Sequence, residues 1–332
     1  MLFITNRVLN EGPTPVREAN AGLPRSVSFD LKNNQAEQSV YFCRRDSANT
    51  YTEIGSQVFL SELRNRNVKE ILFYIHGYNN LPEPAIFPRA QTLQSLFNLK
   101  SPNYVQVVPL IWPCDNNFGQ VRDYFNDQIA ADQSGVAYSR LFQKFLDWRE
   151  QNSNEANPCT KRINILAHSM GNRVLRAAFA DTVHYFLPQG IPLIFRNIFM
   201  AAADLVNEAL ESGKEGQHIP SSARNVAVYF AADDLAMRAS KVANVAHSIA
   251  SKRLGHTGPE NIFKVSKNVY ALDCADFNNT YDPPMGHGYF AEMPSGEPGL
   301  VFEHIWRCMQ TGRVPMGGLG GRTAILSNNL LT

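Results

Sequence analysis

Ile163-Asn164-Ile165-Leu166-Ala167-His168-Ser169-Met170-Gly171-Asn172-Arg173-Val174-Leu175 is the stretch that decides how this chain is read. An apolar strand runs into a small-x-Ser-x-small pentapeptide, and the apolar spacing that follows is helical. A serine on so sharp a strand-to-helix turn is lifted clear of the sheet, close to the positive end of the next helix. The turn demands small neighbours, because side chains at Ala167 and Gly171 meet the adjoining strand and helix. Ala167 stands where glycine is commoner, a tolerated variation. The pattern is a nucleophile elbow, and Ser169 is the expected nucleophile.

Working outward, residues 70–75 form a continuous apolar run, as expected of a strand buried on both faces. Further strands are predicted over 104–112, 162–167, 195–200, 225–231 and 267–272. Helical spacing starts near Gly55 and recurs over 85–99, 119–150 (read as two helices), 170–185 and 235–250. Strand alternating with helix predicts an α/β fold with a mostly parallel central sheet covered by helices on both faces. The runs 2–8, 26–31 and 39–44 predict antiparallel edge strands in an N-terminal region spanning 1–54. Polar residues mark 151–161 and 211–223 as loops. One domain over 1–313 is expected, followed by a flexible tail over 314–332 whose Gly317, Gly318, Gly320 and Gly321 fit no phosphate-loop pattern.

The 332 residues balance 31 Lys and Arg against 30 Asp and Glu, a net charge of +1. Such a surface carries no global field to gather nucleic acid or anionic membrane, so neither partner is expected. With 44% hydrophobic residues the chain has the means to bury a sizeable core. The start, Met1-Leu2-Phe3-Ile4-Thr5-Asn6-Arg7, lacks the pattern of a signal peptide. Cys43, Cys114, Cys159, Cys274 and Cys308 are scattered and odd in number, which fits a reducing compartment; a cytoplasmic protein is expected. No metal-ligand spacing or cofactor fingerprint occurs, and the chemistry read here requires neither.

A second signal closes the buried strand at 70–75, where His76-Gly77-Tyr78-Asn79-Asn80 turns tightly. A tetrahedral oxyanion needs two donors, and the backbone N–H groups of Tyr78 and Met170 are assigned to it. His76 is read as holding that loop. The general base is expected late in the chain, and His287, in Pro283-Pro284-Met285-Gly286-His287-Gly288-Tyr289-Phe290, is the candidate: a loop that swings an imidazole over the sheet edge. His304 lies in a helical pattern, and His247 and His256 lie in or just beyond a helix. For the acid, Asp234 ends a strand in Ala232-Asp233-Asp234, where sites in open α/β sheets form. Asp233 and, one strand earlier, Asp204 are alternatives, and either Asp233 or Asp234 also suits a helix N-cap. Trp112, Phe118, Tyr124 and Phe125 are candidates to line an acyl pocket or to pack the core.

At these residues the sequence resembles a family of uncharacterised, mainly bacterial alpha/beta hydrolases described as esterase- or lipase-like. The resemblance runs from about Glu70 to Phe290. It is carried by His76-Gly77-Tyr78-Asn79-Asn80, Trp112-Pro113, Ala167-His168-Ser169-Met170-Gly171-Asn172, Asp234-Leu235-Ala236, Arg253-Leu254-Gly255 and His287-Gly288-Tyr289, in that order. It implies the alpha/beta-hydrolase fold, Ser169 as nucleophile, Asp234 as acid and His287 as base. Where the family tends towards Ser-Asn-Asp, this chain has Ala232-Asp233-Asp234, which brings a second carboxylate. The part before about Gly55 matches poorly.

The function expected is hydrolysis of a small or medium carboxylic ester through an acyl-enzyme, with a small-molecule acyl ester as partner. A thioesterase, a peptidase and a catalytically idle ligand-binding protein of the same fold are the alternatives.

Overall fold

A computed structural model describes residues 1–13, 23–114, 121–238, 240, 252–317 and 320–331. Among the described residues eleven strands form one sheet in the order β11-β10-β9-β8-β7-β5-β6-β1-β3-β4-β2. They are β1 (Leu2–Arg7), β2 (Arg25–Val27), β3 (Ala36–Ser47), β4 (Thr50–Glu53), β5 (Glu70–Ile75), β6 (Val105–Ile111), β7 (Arg162–His168), β8 (Phe195–Ala201), β9 (Ala223–Phe230), β10 (Val269–Asp273) and β11 (Thr323–Ile325). From β11 across to β1 every neighbouring pair is parallel. The strands β3, β4 and β2 then add an antiparallel margin. The N-terminal region is therefore an antiparallel edge, with β1 as its joint to the parallel part.

Alternation explains why the central strands are apolar throughout. In β5, Ile71 and Ile75 enter the core on one face of the sheet, and Leu72 and Tyr74 the core on the other. Helices Val121–Asn152 and Gly171–Tyr185 cover the first face, and Phe87–Lys100 and Leu300–Thr311 the second.

A polar ladder pins the register at the opposite end of the strands. Asn225 donates to Asn197 at 2.9 Å, Asn197 to Asn164 at 2.8 Å, and Asn164 to Glu70 at 3.0 Å. Glu70 also takes Arg162 and Arg196, each at 3.0 Å. A slip by one residue would strand these buried groups without partners, so the ladder enforces the register.

Three expectations are corrected. The stretch 119–150 is not two helices: Val121–Asn152 is continuous. Gly135 sits inside it because a Cβ there would come within 2.7 Å of the Ala177 Cβ, so this glycine permits close helix packing instead of ending a helix. The segment beyond Arg313, expected as a flexible tail, supplies β11 alongside β10, and Leu326 is buried. The strand β4 completes a hairpin with β3 at a position where no strand was expected. Most of the helix expected over 235–250 lies outside the described residues. Among the described residues no helix is long and apolar enough to cross a membrane.

The site follows from the strand order. The chain leaves β5 for β6 on one side and then crosses to β7 on the other, so the loops after β5 and β7 diverge. Such a switch point opens a crevice at the carboxyl ends of the strands. His76-Gly77 leaves β5 at this crevice, and Ser169 leaves β7.

Candidate active site

Ser169 has φ 53°, a left-handed backbone that a residue with a side chain rarely adopts. Strain of order 1–3 kcal/mol has to be held by its surroundings. The Ser169 N–H donates to Ala201 O at 2.9 Å, while its carbonyl accepts from the Asn172 N–H at 3.1 Å and the Asp204 N–H at 3.2 Å. The Asn172 side-chain amide adds bonds to Ala167 O and Ser169 O. Helix Gly171–Tyr185 starts immediately after this turn.

Two glycines let three segments converge. A Cβ on Gly171 would fall 2.6 Å from His76 O and 2.7 Å from Ile75 O, both backbone atoms. One on Gly77 would fall 3.0 Å from the Ser169 Cβ. Gly171→Ala is therefore expected to destabilise the protein by about 1–3 kcal/mol, seen as a lower urea midpoint. An unchanged midpoint would contradict this packing.

His76 anchors the loop after β5. The Trp112 backbone N–H donates to His76 Nε2 at 3.2 Å, and His76 Nδ1 lies 2.7 Å from Gly77 O. A carbonyl only accepts and an amide N–H only donates, so the ring is neutral with its proton on Nδ1. Burial pushes its pKa down to about 3, despite the opposing bond to Gly77. The ring stacks on Trp112 at 5.1 Å and 6°. Trp112 is thus a core residue and not a pocket wall. Asn80 closes the loop by donating to Gly77 O and Tyr78 O.

His287 Nδ1 lies 2.7 Å from Asp234 Oδ2. The Asp234 carboxylate is fully buried, and its other oxygen accepts from the Met237 N–H at 2.9 Å. The two roles considered for this aspartate therefore coincide in one group, one oxygen capping a helical turn and the other orienting an imidazole. With the Nδ1 proton directed at Asp234, Nε2 is left as the basic nitrogen. Burial disfavours the charged ring, but the Asp234 charge and hydrogen bond, with a contribution from Asp282, raise the His287 pKa above the ordinary histidine value.

The His287 loop does not swing freely as expected. The backbone N–H groups of His287 and Gly288 both donate to Asp282 Oδ2, at 2.8 and 2.6 Å. His168 Nε2 donates to His287 O at 3.1 Å, and the two rings lie 4.7 Å apart. The residue preceding the serine thereby fastens the histidine loop to the elbow. Burial, together with the His287 charge, keeps the His168 pKa well below ordinary. Asp282 and His168 were not singled out from the sequence, since a carboxylate that accepts main-chain N–H groups leaves no spacing signature.

The other carboxylates serve elsewhere. Asp233 accepts from Asn279. The Asp204 carboxylate does not reach His287 and is instead buried with Tyr124, Ser240 and Arg253. His304 is packed in the core, bonded to the Tyr229 hydroxyl at 2.8 Å and to Pro315 O at 3.0 Å. His256 lies in the short helix Leu254–Thr257, whereas His247 and Phe118 lie outside the described residues. Tyr124 meets Tyr78 and Phe125 edge-on.

Ser169 Oγ and His287 Nε2 have no hydrogen-bond partner among the described residues. Ser169 retains 3% of its surface exposed and the His287 side chain 16%, so the site is narrow but reaches solvent. No described acceptor takes the Met170 N–H at the start of its helix. Beside His168 and Gly288 opens a cavity of about 360 Å³ lined by Tyr74, Asn80, Arg89, Phe290 and Glu292. The arrangement has the parts for proton transfer from a hydroxyl to an imidazole backed by a carboxylate.

A family model described as an alpha/beta hydrolase of unknown function (DUF900) matches residues 52–301. That span includes Tyr78, Ser169, Asp234 and His287. No curated protein matches the chain.

Proposed function

The chain belongs to the DUF900 family of alpha/beta hydrolases of unknown function, and from that premise we propose that it is a serine hydrolase of carboxylic esters. Ser169 Oγ attacks the ester carbonyl carbon while His287 Nε2 takes its proton. The backbone N–H groups of Tyr78 and Met170 receive the oxyanion, each donor contributing about 3–4 kcal/mol to the transition state. His287 returns the proton to the departing alkoxide, and a water molecule, activated by the same nitrogen, then releases the acid from the acyl-serine. Asp234 fixes the tautomer and stabilises the imidazolium.

The observation that carries this reading is the 2.7 Å bond from His287 to a fully buried Asp234, next to a serine held at φ 53°. In the resting site the serine and histidine are not bonded to each other, and such bonds commonly tighten only when substrate binds. The cavity of about 360 Å³ is lined by His168 and Gly288, the chain neighbours of Ser169 and His287 and not those two residues themselves, and its size is that of a small or medium ester. We place the protein in the cytoplasm because its five cysteines are all unpaired.

Hydrolysis of a chain-length series of nitrophenyl esters, beside the anilide of the preferred acyl group, tests the proposal. Turnover of the shorter esters with little anilide cleavage is expected. A folded protein that turns over none of them would favour the idle binding protein, and preference for the anilide would favour a peptidase.

A further inference from the structure

We propose that Tyr124 is a positioning residue of this site, tying the oxyanion loop to the nucleophile turn through the buried Asp204 carboxylate. The inference rests on the serine-hydrolase reading.

Asp204 touches the elbow directly, since its backbone N–H donates to Ser169 O at 3.2 Å. Its side chain is buried to 1% exposure with Arg253 Nε 3.3 Å away. Gly255 makes that approach feasible, because a Cβ there would fall 2.2 Å from the Ala202 carbonyl carbon. Burial disfavours the Asp204 charge, yet Arg253 and Arg173, with bonds from Ser240 and Tyr124, hold its pKa below the ordinary value. A fixed negative group therefore stands one residue link from the strained serine.

Tyr124 reads that group from the other side. Its hydroxyl donates to Asp204 Oδ2 at 2.7 Å, and its ring meets the Tyr78 ring edge-on at 5.8 Å and 81°. Burial, then the Asp204 charge, keeps the phenol protonated well above its ordinary pKa, so it remains a donor at any working pH. Tyr78 carries one of the two N–H groups assigned to the oxyanion. The chain Ser169–Asp204–Tyr124–Tyr78 thus links the main-chain carbonyl of the nucleophile turn to the loop that carries the other donor, and the spacing of turn and loop decides how well the tetrahedral state is held.

Tyr124→Phe keeps the ring and removes the hydroxyl. With nitrophenyl acetate as probe and active sites counted by fluorophosphonate titration, kcat per titrated site is expected to fall about 10- to 100-fold with KM within twofold. The fluorophosphonate labelling rate should fall in parallel, since it passes through the same oxyanion geometry. Ser240 Oγ bonds both Asp204 Oδ1 and the Tyr124 hydroxyl, each at 2.6 Å, so the control is taken elsewhere: Tyr138→Phe removes a buried hydroxyl of the same helix that bonds no described residue, and is expected to keep kcat per site. If Tyr124→Phe does not fold, Tyr78→Leu breaks the ring contact instead, and the same fall in kcat is expected. A wild-type kcat in the variant, a loss confined to KM, or an equal fall in Tyr138→Phe would overturn the proposal. A wild type that neither labels nor turns over would instead overturn the serine-hydrolase reading on which it rests.

Discussion

Ser169→Ala is expected to lower kcat for nitrophenyl esters by about 10⁶-fold while leaving the unfolding midpoint within error. Both halves follow from the bonding of this residue. The hydrogen bonds that Ser169 makes use its main-chain atoms, and alanine leaves these and the Asn172 side-chain bonds in place. The hydroxyl itself takes part in none of them. Its removal should therefore delete the nucleophile and spare the elbow. Parallel steady-state kinetics and urea titration of the two proteins measure both halves. A variant retaining a tenth of wild-type turnover would mean that another group attacks.

Asp234→Asn should cost about 10⁴-fold in kcat. The amide oxygen continues to cap the Met237 N–H, which leaves the amide NH₂ facing His287 Nδ1. That nitrogen then has to accept, the proton moves to Nε2, and the base is lost. The pH dependence carries the second signature. A general base works when neutral, so activity is lost as pH falls through its pKa. The Asp234 charge raises the His287 pKa against the effect of burial, so the acid limb of kcat/KM in the wild type is expected above the ordinary histidine value of about 6.5. Residual activity of the Asn variant should show that limb displaced to lower pH. Asp233→Asn, whose amide oxygen still accepts from Asn279 and which makes no bond to the imidazole, should change kcat by less than about threefold, a surface-level effect. A limb that fails to move in Asp234→Asn would remove this carboxylate from the mechanism.

The parts of this molecule that were legible from sequence are those fixed by local pattern. The continuous apolar runs of β5 and β7 announced strands buried on both faces, and the small residues around Ser169 announced the turn. Gly171 is the clearest case, since the clash it avoids is with main-chain atoms. What was not legible depended on distant partners. Asp233 and Asp234 are adjacent and chemically identical, and only the path of the chain after β9 decides that Asp234 turns towards His287. The His287 loop read as mobile because its glycines and prolines are local signals, whereas the Asp282 and His168 bonds that fasten it are tertiary. The stretch 119–150 read as two helices, whereas Gly135 within the continuous helix serves a close contact with Ala177, again a tertiary matter. The last strand, β11, is three residues long and gains its place from pairing with β10, which no short periodicity reveals.

On the proposed mechanism Ser169 is an activated nucleophile. Treatment of the folded protein with a fluorophosphonate, followed by peptide mass spectrometry, tests it most directly. One adduct per chain, located on Ser169 and lost in Asp234→Asn at short reaction times, is expected. An adduct on a different residue, or none on protein shown to be folded, would contradict it.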